Sequence, residues 1–254
     1  MKKINIITKD NSISINAKEY AINILSKHYI IDDINPDIVL CIGGDGTLLS
    51  AINKYINIID TVQFICVHSG TLGFFSDYIL DDIDICLNDL IFNKGTISSY
   101  RLLQANYNNN IYYALNDIRV EATPKTQLID VYINDYYLET FRGNGLLVCT
   151  QLGSTAYNRS LKGSIIDHNL SCIQLTEISP INRRLYPTCN SSIIFNENTK
   201  ITFKGNFSNT LLIYDQNSTI INDNNIIDIN LSNKEVHILR YKDIPYLERI
   251  KTLF

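Results

Sequence analysis

The chain has 254 residues with a formal net charge of −4, and 45% of its residues are hydrophobic. This length is enough for one large domain or two modest ones. The acidic balance argues against the overall basic field of a nucleic-acid or membrane binder, so we expect neither partner. No apolar run approaches the roughly 18 residues of a membrane-spanning helix, and the six cysteines lack the spacing of a zinc or redox site. We expect a cytoplasmic protein with free cysteines.

Strand and helix patterns alternate over the first hundred residues. Such alternation predicts an α/β domain, with a parallel sheet covered by helices on both faces, over residues 1–97. The predicted elements in chain order are the strand Lys3–Thr8, the helix Ala17–His28, the strand Ile38–Ile42, the helix Leu48–Ile59, the strand Val62–Val67 and the helix Asp81–Phe92.

Short strands separated by turn residues follow from about Thr96 and predict an all-β domain over residues 98–229. Two hairpins are indicated by asparagine-rich turns at Asn108–Asn110 and Asn134–Asp135. Residues 230–254 form a predicted tail that packs back on the first domain through Tyr246, Leu247, Ile250 and Phe254. The later predicted strands are Ser192–Phe195, Lys200–Phe203, Leu211–Tyr214, Thr219–Ile221, Ile226–Ile229 and Glu235–Tyr241.

The most informative motif is the glycine turn Gly43–Thr47, which lies between a predicted strand and a predicted helix. That arrangement directs backbone N–H groups and the positive end of a helix towards an anion. Asp45 would repel phosphate there. Its presence is explained if it binds a metal carried by the phosphates or accepts a proton from the attacking group. A tight turn with a solvated Asp45 is the simpler alternative.

Three further segments carry polar side chains in positions that suit a ligand. The loop His68–Phe75 follows a predicted parallel strand, where ligands bind in open α/β sheets, and His68 is predicted to position rather than to act as a base. Asn116 and Asp117 form either a turn or an inward-facing ligand contact. The run Arg142–Ser160 contains glycines, hydroxyls and Tyr157 but no carboxylate. We read this run as a binding platform, although Ser154 or Thr155 would also suit a helix N-cap.

Two weaker candidates lie further along the chain. Arg183 and Arg184 are adjacent cations that could contact phosphate. Asp215 follows a predicted strand and is a polar candidate at its end.

Taken in order, these motifs resemble the NAD kinase family. The resemblance rests on Gly43–Leu49, His68–Phe74, Asn116–Asp117, Gly153–Asn158 and Glu177–Asn182, and it covers nearly the whole chain. It implies phosphoryl transfer from ATP, or in some members from polyphosphate, to the 2′-hydroxyl of the adenosine ribose of NAD. It also implies a β-sandwich as the second domain, a divalent cation such as Mg²⁺, and a homo-oligomer, either a dimer or a tetramer.

The resemblance assigns the catalytic role to Asp45, which would orient or deprotonate the ribose hydroxyl. It assigns no protein residue as a direct metal ligand. At the adenosine half of NAD it places Asn116, Asp117, Thr155, Ala156, Tyr157 and Ser160. Near the nicotinamide half, across a subunit boundary, it places Asn144, Ser179 and Ile181. The full set of implied substrate or cofactor residues is Gly44, Gly46, Thr47, His68, Phe74, Asn116, Asp117, Arg142, Asn144, Thr155, Ala156, Tyr157, Ser160, Ser179 and Ile181.

Three positions depart from the family pattern. Asn144 stands where the family commonly has Asp, Gln151–Leu152 replaces Pro-Thr, and His68 replaces a frequent Asn. Two alternative functions share part of the pattern. A lipid or sugar kinase could use the same glycine turn, and a non-catalytic NAD-binding module could use Asp45 only to coordinate a cation.

Overall fold

The structure, a computed structural model, describes residues 1–70, 73–122, 125–181, 187–222, 224–251 and 253, and describes residues 224 and 225 by their backbone only. The chain divides into two compact units. Unit 1 contains residues 1–100 and 234–254, and unit 2 contains residues 101–233. Several residues singled out from the sequence lie outside the described residues, namely Thr71, Leu72, Asn182, Arg183, Arg184 and Phe254.

The first hundred residues form strands that alternate with helices. In chain order they are β1 (Lys3–Thr8), α1 (Ser12–Leu25), β2 (Ile30–Ile31), β3 (Ile38–Gly43), α2 (Asp45–Lys54), β4 (Gln63–His68), β5 (Tyr78–Ile79) and α3 (Ile83–Phe92). Short 3₁₀ turns at Ile59–Thr61 and Leu80–Asp82 lead into β4 and α3.

The remaining residues are mainly strands. In chain order they are β6 (Thr96–Tyr107), β7 (Asn110–Ala114), β8 (Asp117–Glu121), β9 (Gln127–Ile133), β10 (Tyr136–Gly143), β11 (Gly145–Thr150), α4 (Tyr157–Ser160), β12 (Cys172–Ile178), β13 (Ile193–Asn196), β14 (Ile201–Asn206), β15 (Thr210–Tyr214), β16 (Asn217–Ile221), β17 (Asn224–Arg240) and α5 (Tyr246–Lys251).

Unit 1 is an α/β unit built on a parallel sheet. The strand order is β2, β1, β3, β4 and then the end of β17, and every pairing along this order is parallel. β3 is buried at each of its residues, as a central strand with both faces covered must be. Ala21 and Leu25 of α1 share a core with Leu87 and Leu90 of α3 and with residues of the sheet. The parallel strands therefore bring their carboxyl ends, and the loops that follow, to one edge.

Unit 2 is a β-sandwich. One sheet has the order β13, β12, β11, β8, β15 and β16, and its pairings are antiparallel. The other sheet pairs β10, β9, β14 and the first residues of β17. Their inner faces share one core, in which Val120 and Val148 of the first sheet pack with Val131 and Phe203 of the second.

Both predicted hairpins are confirmed by their pairing. β6 pairs with β7 around the asparagine turn, and β9 pairs with β10 around Asn134–Asp135. Asn108, Asn109, Asn134 and Asp135 have positive φ, the conformation that asparagine and aspartate tolerate best after glycine.

Several predicted elements differ from the structure. The helix predicted for Leu48–Ile59 begins at Asp45 and ends at Lys54, and the helix predicted from Ala17 begins at Ser12. The separate strands predicted at Ile226–Ile229 and Glu235–Tyr241 are one strand, β17. Polar residues interrupt the apolar pattern between those two segments, but the backbone stays extended because it is paired in succession to different neighbours.

Within the described part of the chain, every helix is too short or too polar to span a bilayer.

Candidate active site

The glycine turn Gly43–Thr47 forms the first group of predicted site residues. β3 ends at Gly43, Gly44 is the extended N-cap residue, and α2 begins at Asp45. The helix therefore starts three residues earlier than the apolar pattern predicts, which places Asp45 in the first turn. A carboxylate in that position is stabilised by the unpaired N–H groups and the positive end of the helix dipole.

The Asp45 carboxylate is aimed by two backbone amides from the loop after β4. The Phe74 N–H donates to Asp45 Oδ2 over 3.2 Å, and the Phe75 N–H donates to Asp45 Oδ1 over 3.3 Å. Gly73 makes this approach possible, because a Cβ there would lie 2.8 Å from Asp45 Oδ1. The structure thus brings Asp45 and Phe74 together, although they are separated by 29 residues in sequence.

His68 lies at the end of β4 beside the same turn. The Gly70 N–H donates to His68 Nδ1 over 3.1 Å. Because Nδ1 accepts that bond, a neutral His68 carries its proton on Nε2. A Cβ at Gly44 would lie 3.5 Å from His68 Nε2, so this ring nitrogen faces the N-cap of α2. The geometry suits the positioning role predicted from the sequence.

The loop that aims Asp45 is fixed by a buried ion cluster that the sequence analysis missed. Asp77 Oδ1 accepts from Arg240 Nη1 over 2.8 Å and from Arg249 Nη2 over 2.7 Å. The same guanidinium groups donate to the carbonyls of Phe74, Phe75 and Ser76. Asp77 and Arg249 are 4% and 6% exposed. These three residues hold the loop in one conformation through its carbonyl groups.

The second group of site residues lies in unit 2, around the turn before β8. The Leu115 and Asn116 N–H groups each donate to the Asp215 carboxylate over 2.8 Å, and the Asp117 N–H donates over 3.3 Å. The Asp215 N–H in turn donates to the Asp117 carbonyl over 3.0 Å. Asp215, predicted as a weak candidate at a strand end, is therefore the residue that fixes Asn116 and Asp117.

The segment after β11 packs directly on this turn. The Thr150 N–H donates to the Asn116 carbonyl over 2.9 Å, and Thr150 Oγ1 donates to the Leu115 carbonyl over 2.6 Å. A Cβ at Gly153 would overlap the Asn116 carbonyl, so only glycine fits at this contact. Asn116 and the 153–160 segment are therefore neighbours.

Burial dominates the electrostatics of Asp117, which is 5% exposed. Burial raises the pKa of Asp117 to about 7, Arg119 opposes this rise, and the charge of Asp215 adds to it. Arg119 Nε lies 3.2 Å from Asp117 Oδ1, and its guanidinium lies 4.3 Å from the centre of the Tyr157 ring. Arg119 thus links Asp117 to Tyr157.

Hydroxyl groups in the 153–160 segment bind the local backbone rather than capping a helix. Ser154 Oγ donates to the Gln151 carbonyl over 2.7 Å, and Thr155 Oγ1 donates to the Leu152 carbonyl over 3.0 Å. The N-cap alternative for Ser154 or Thr155 is wrong, because α4 begins only at Tyr157 and has no side-chain cap. Ala156 and Tyr157 are half-buried, and Ser160 is exposed at the end of α4.

The third group contains the three residues that the family resemblance places near nicotinamide, together with Arg142. The Ile181 N–H donates to the Arg142 carbonyl over 2.7 Å, and the Asn144 N–H donates to the Ile178 carbonyl over 3.1 Å. Ser179 lies between these two contacts with a φ of 49°. Arg142, Asn144, Ser179 and Ile181 are therefore brought together.

The second and third groups lie at opposite ends of β11, because Asn144 precedes this strand and the 153–160 segment follows it. Six extended residues span about 20 Å.

Among the described residues, no group of three or more His, Cys, Asp or Glu side chains could hold a metal ion. A cation bound at Asp45 would need most of its ligands from another molecule, such as a polyphosphate.

The sequence matches the ATP-NAD kinase C-terminal domain over residues 109–241. It is 35% identical over 231 residues to an NAD kinase of Leuconostoc mesenteroides, with 88% of this chain and 87% of that protein covered.

The chain belongs to the NAD kinase family.

Another NAD kinase, from Streptococcus pneumoniae, is 44% identical over 177 residues, which cover 68% of this chain and 65% of that protein. Two solved structures share the fold of this NAD kinase at 18% identity. A yeast NADH kinase complexed with NADH has a TM-score of 0.85, with 99% of this chain and 86% of that chain covered. An NAD kinase from Archaeoglobus fulgidus in complex with ATP has a TM-score of 0.79, with 99% and 98% covered.

Proposed function

We propose that this NAD kinase transfers the γ-phosphoryl group of ATP to the 2′-hydroxyl of the adenosine ribose of NAD, which makes NADP. The observation that carries this proposal is the Asp45 carboxylate, which begins α2 and is aimed by the amides of Phe74 and Phe75. In the transfer, the 2′-oxygen bonds to the γ-phosphorus and the bond between this phosphorus and the β,γ-bridging oxygen breaks. Asp45 orients the hydroxyl and accepts its proton.

Positioning accounts for most of the rate in such a reaction, because the phosphoryl transition state is loose and needs no strong base. Asp45 suits this task, since its two amide contacts fix the direction of the carboxylate before any substrate binds. Gly44, Gly46 and Thr47 line the anion-directed start of α2, and His68 and Phe74 flank it.

The divalent cation is proposed to enter with ATP as a phosphate-bound complex. Support comes from the part of the chain that the structure describes, where no group of three or more metal-ligating side chains occurs. When bound, it neutralises charge on the transferred group.

Unit 2 supplies the proposed dinucleotide site. Asn116, Asp117, Thr155, Ala156, Tyr157 and Ser160 are proposed to bind the adenosine. Support comes from the packing of Gly153 against the Asn116 carbonyl and from the Arg119 link between Asp117 and Tyr157. We assign residues 98–229 to this NAD-binding domain.

The third group is proposed to serve a dinucleotide bound by another subunit of a homo-oligomer, a dimer or tetramer. Its support is the family resemblance, together with the position of Asn144 at the opposite end of β11 from the 153–160 segment. Asn144, Ser179 and Ile181 would contact the nicotinamide half of that molecule, and Arg142 is proposed as a further substrate-binding residue beside them.

Residues 230–254 are proposed to be the returning tail of the nucleotide-binding domain formed by residues 1–97. The parallel pairing of His237 with Gln63 and the contacts of Arg249 with Asp77 support this assignment.

A coupled assay tests the proposed activity and its donor. We expect ATP-dependent formation of NADP from NAD, and the same assay with NADH and with polyphosphate measures the selectivity for acceptor and donor. Diacylglycerol and fructose 6-phosphate serve as control acceptors and should remain unphosphorylated. NAD binding without NADP formation, or phosphorylation of a control acceptor instead, would contradict the proposal.

A further inference from the structure

The peptide group that joins Phe74 to Phe75 has a charged partner at each end. Its N–H, which belongs to Phe75, donates to Asp45 Oδ1 over 3.3 Å. Its carbonyl, which belongs to Phe74, accepts from Arg249 Nη1 over 3.1 Å. A hydrogen bond to the carbonyl of a peptide strengthens the bond donated by its N–H, because each polarises the other. One planar group therefore connects the Arg249 guanidinium to the Asp45 carboxylate.

In the part of the chain that the structure describes, Arg249 shares its carboxylate partner with a second arginine. Asp77 is shared by Arg240 and Arg249, so one carboxylate faces two guanidinium groups. The extra hydrogen bonds of the guanidinium groups go to loop carbonyls, with Arg249 reaching both Phe74 and Ser76 and Arg240 reaching Phe75. The negative charge of Asp45 lies on the other side of the Phe74–Phe75 peptide.

Burial of the Arg249 guanidinium at this position costs desolvation free energy. Arg249 is the buried residue of α5, whereas Leu247 of the same helix is 68% exposed. Burial and the neighbouring Arg240 lower the pKa of Arg249, and Asp77 opposes this effect. An apolar side chain would dock a short helix at lower cost, since buried ion pairs seldom stabilise more than hydrophobic replacements. The arginine therefore points to a role beyond anchoring.

We infer that Arg249 is a positioning residue for phosphoryl transfer, which fixes and polarises the Phe74–Phe75 peptide so that its N–H aims the Asp45 carboxylate. The inference rests on the proposed function, because it depends on Asp45 acting on the ribose hydroxyl. Arg249 itself contacts neither substrate nor the reacting atoms in this scheme.

Two substitutions separate this role from simple anchoring. Arg249→Met removes the guanidinium but leaves Asp77 paired with Arg240, so no buried carboxylate is left alone. Arg249→Lys keeps the charge, but one ammonium group cannot match the planar guanidinium that reaches Phe74, Ser76 and Asp77. Lys251→Met, at an exposed position of α5, is the matched control.

We expect kcat for NADP formation to fall on the order of tenfold to a hundredfold in both Arg249 variants, because small displacements of a catalytic group have effects of this size. The KM for NAD should change much less, and Lys251→Met should match the wild type. In an Asp45→Asn background, Arg249→Met should cause no further loss, because Arg249 acts only through Asp45. Thermal unfolding of each variant establishes the folded fraction.

Several outcomes would overturn the inference. Wild-type kcat in Arg249→Met is one, and an equal loss of kcat in the wild-type and Asp45→Asn backgrounds is another. If Arg249→Met does not fold, Arg249→Lys decides by the same criteria. Failure of the proposed function is distinguishable, because then the wild-type protein itself makes no NADP from NAD and ATP.

Discussion

The chemistry of the chain depends on how individual carboxylates are held. Asp45, Asp77 and Asp215 each accept hydrogen bonds from backbone N–H groups, arginines or both. Only Asp45 lies in the glycine motif from which the sequence analysis predicted a catalytic role. Asp77 and Asp215 fix the conformation of loops that carry other site residues. This role cannot be predicted from the residues that neighbour them in sequence.

Asp117 should make NAD binding depend on pH. Because burial raises its pKa to about 7, the fraction of ionised Asp117 increases as the pH rises through neutrality. If the ionised carboxylate accepts hydrogen bonds from adenosine, the Kd for NAD should fall roughly tenfold between about pH 6 and pH 8. Isothermal titration calorimetry across this range measures the effect.

Asp117→Asn should weaken binding and remove its pH dependence. Glu177 provides the control, since burial and the neighbouring Glu139 raise its pKa to about 7 as well; Glu177→Gln should retain the dependence. A wild-type Kd that is constant with pH would rule out this role for Asp117.

In the free protein, the raised pKa of Asp117 makes the free energy of unfolding decrease with pH, whereas the affinity for NAD increases. Between about pH 4 and pH 7 the folded state keeps a proton that the unfolded state releases, so stability falls as the pH rises.

At the scale of elements, β11 determines where the predicted dinucleotide residues lie. The strand is buried throughout and pairs with both β8 and β12, so its ends are fixed. The loop that follows it contacts the turn before β8 through Gly153 and Asn116. Close backbone approach at this point couples the two segments that we assign to adenosine.

Gly153→Ala should disrupt that contact. The added Cβ would overlap the Asn116 carbonyl. Relief of the overlap requires a backbone shift, which costs on the order of 1–3 kcal/mol of folding free energy. We expect a lower free energy of unfolding and a weaker affinity for NAD, measured by denaturant unfolding and calorimetry.

Gly70→Ala is the matched control, because the nearest atom to its Cβ would be 3.6 Å away on His68. It should leave the free energy of unfolding nearly unchanged. Wild-type stability and NAD affinity in Gly153→Ala would show that the contact has no such importance.

The elements were largely predictable where local pattern decides them. The period-two and helical patterns located β1, β3, β4 and both hairpins within a few residues. The apolar pattern places the start of α2 too late because glycine and polar residues occupy its first turn. The same pattern divides β17 in two because the middle of this strand is polar, whereas its continuity depends on pairing with distant strands.

At the scale of the whole molecule, the family and its reaction were predictable because the family's motifs occur along the chain in the family's order. The positioning network was not predictable, since Asp77 and Arg249 are 172 residues apart in sequence. An arginine among the apolar residues of a terminal helix has the pattern of a solvated cation. Only the folded chain shows that it is buried against a carboxylate and two carbonyl groups.

The central claim is that Asp45 acts on the ribose hydroxyl during transfer and contributes little to holding NAD. The most direct measurement is kcat for NADP formation alongside the Kd for NAD in Asp45→Asn. We predict that kcat falls by orders of magnitude while the affinity for NAD falls far less. Equal losses of turnover and affinity, or wild-type turnover in the variant, would contradict the account.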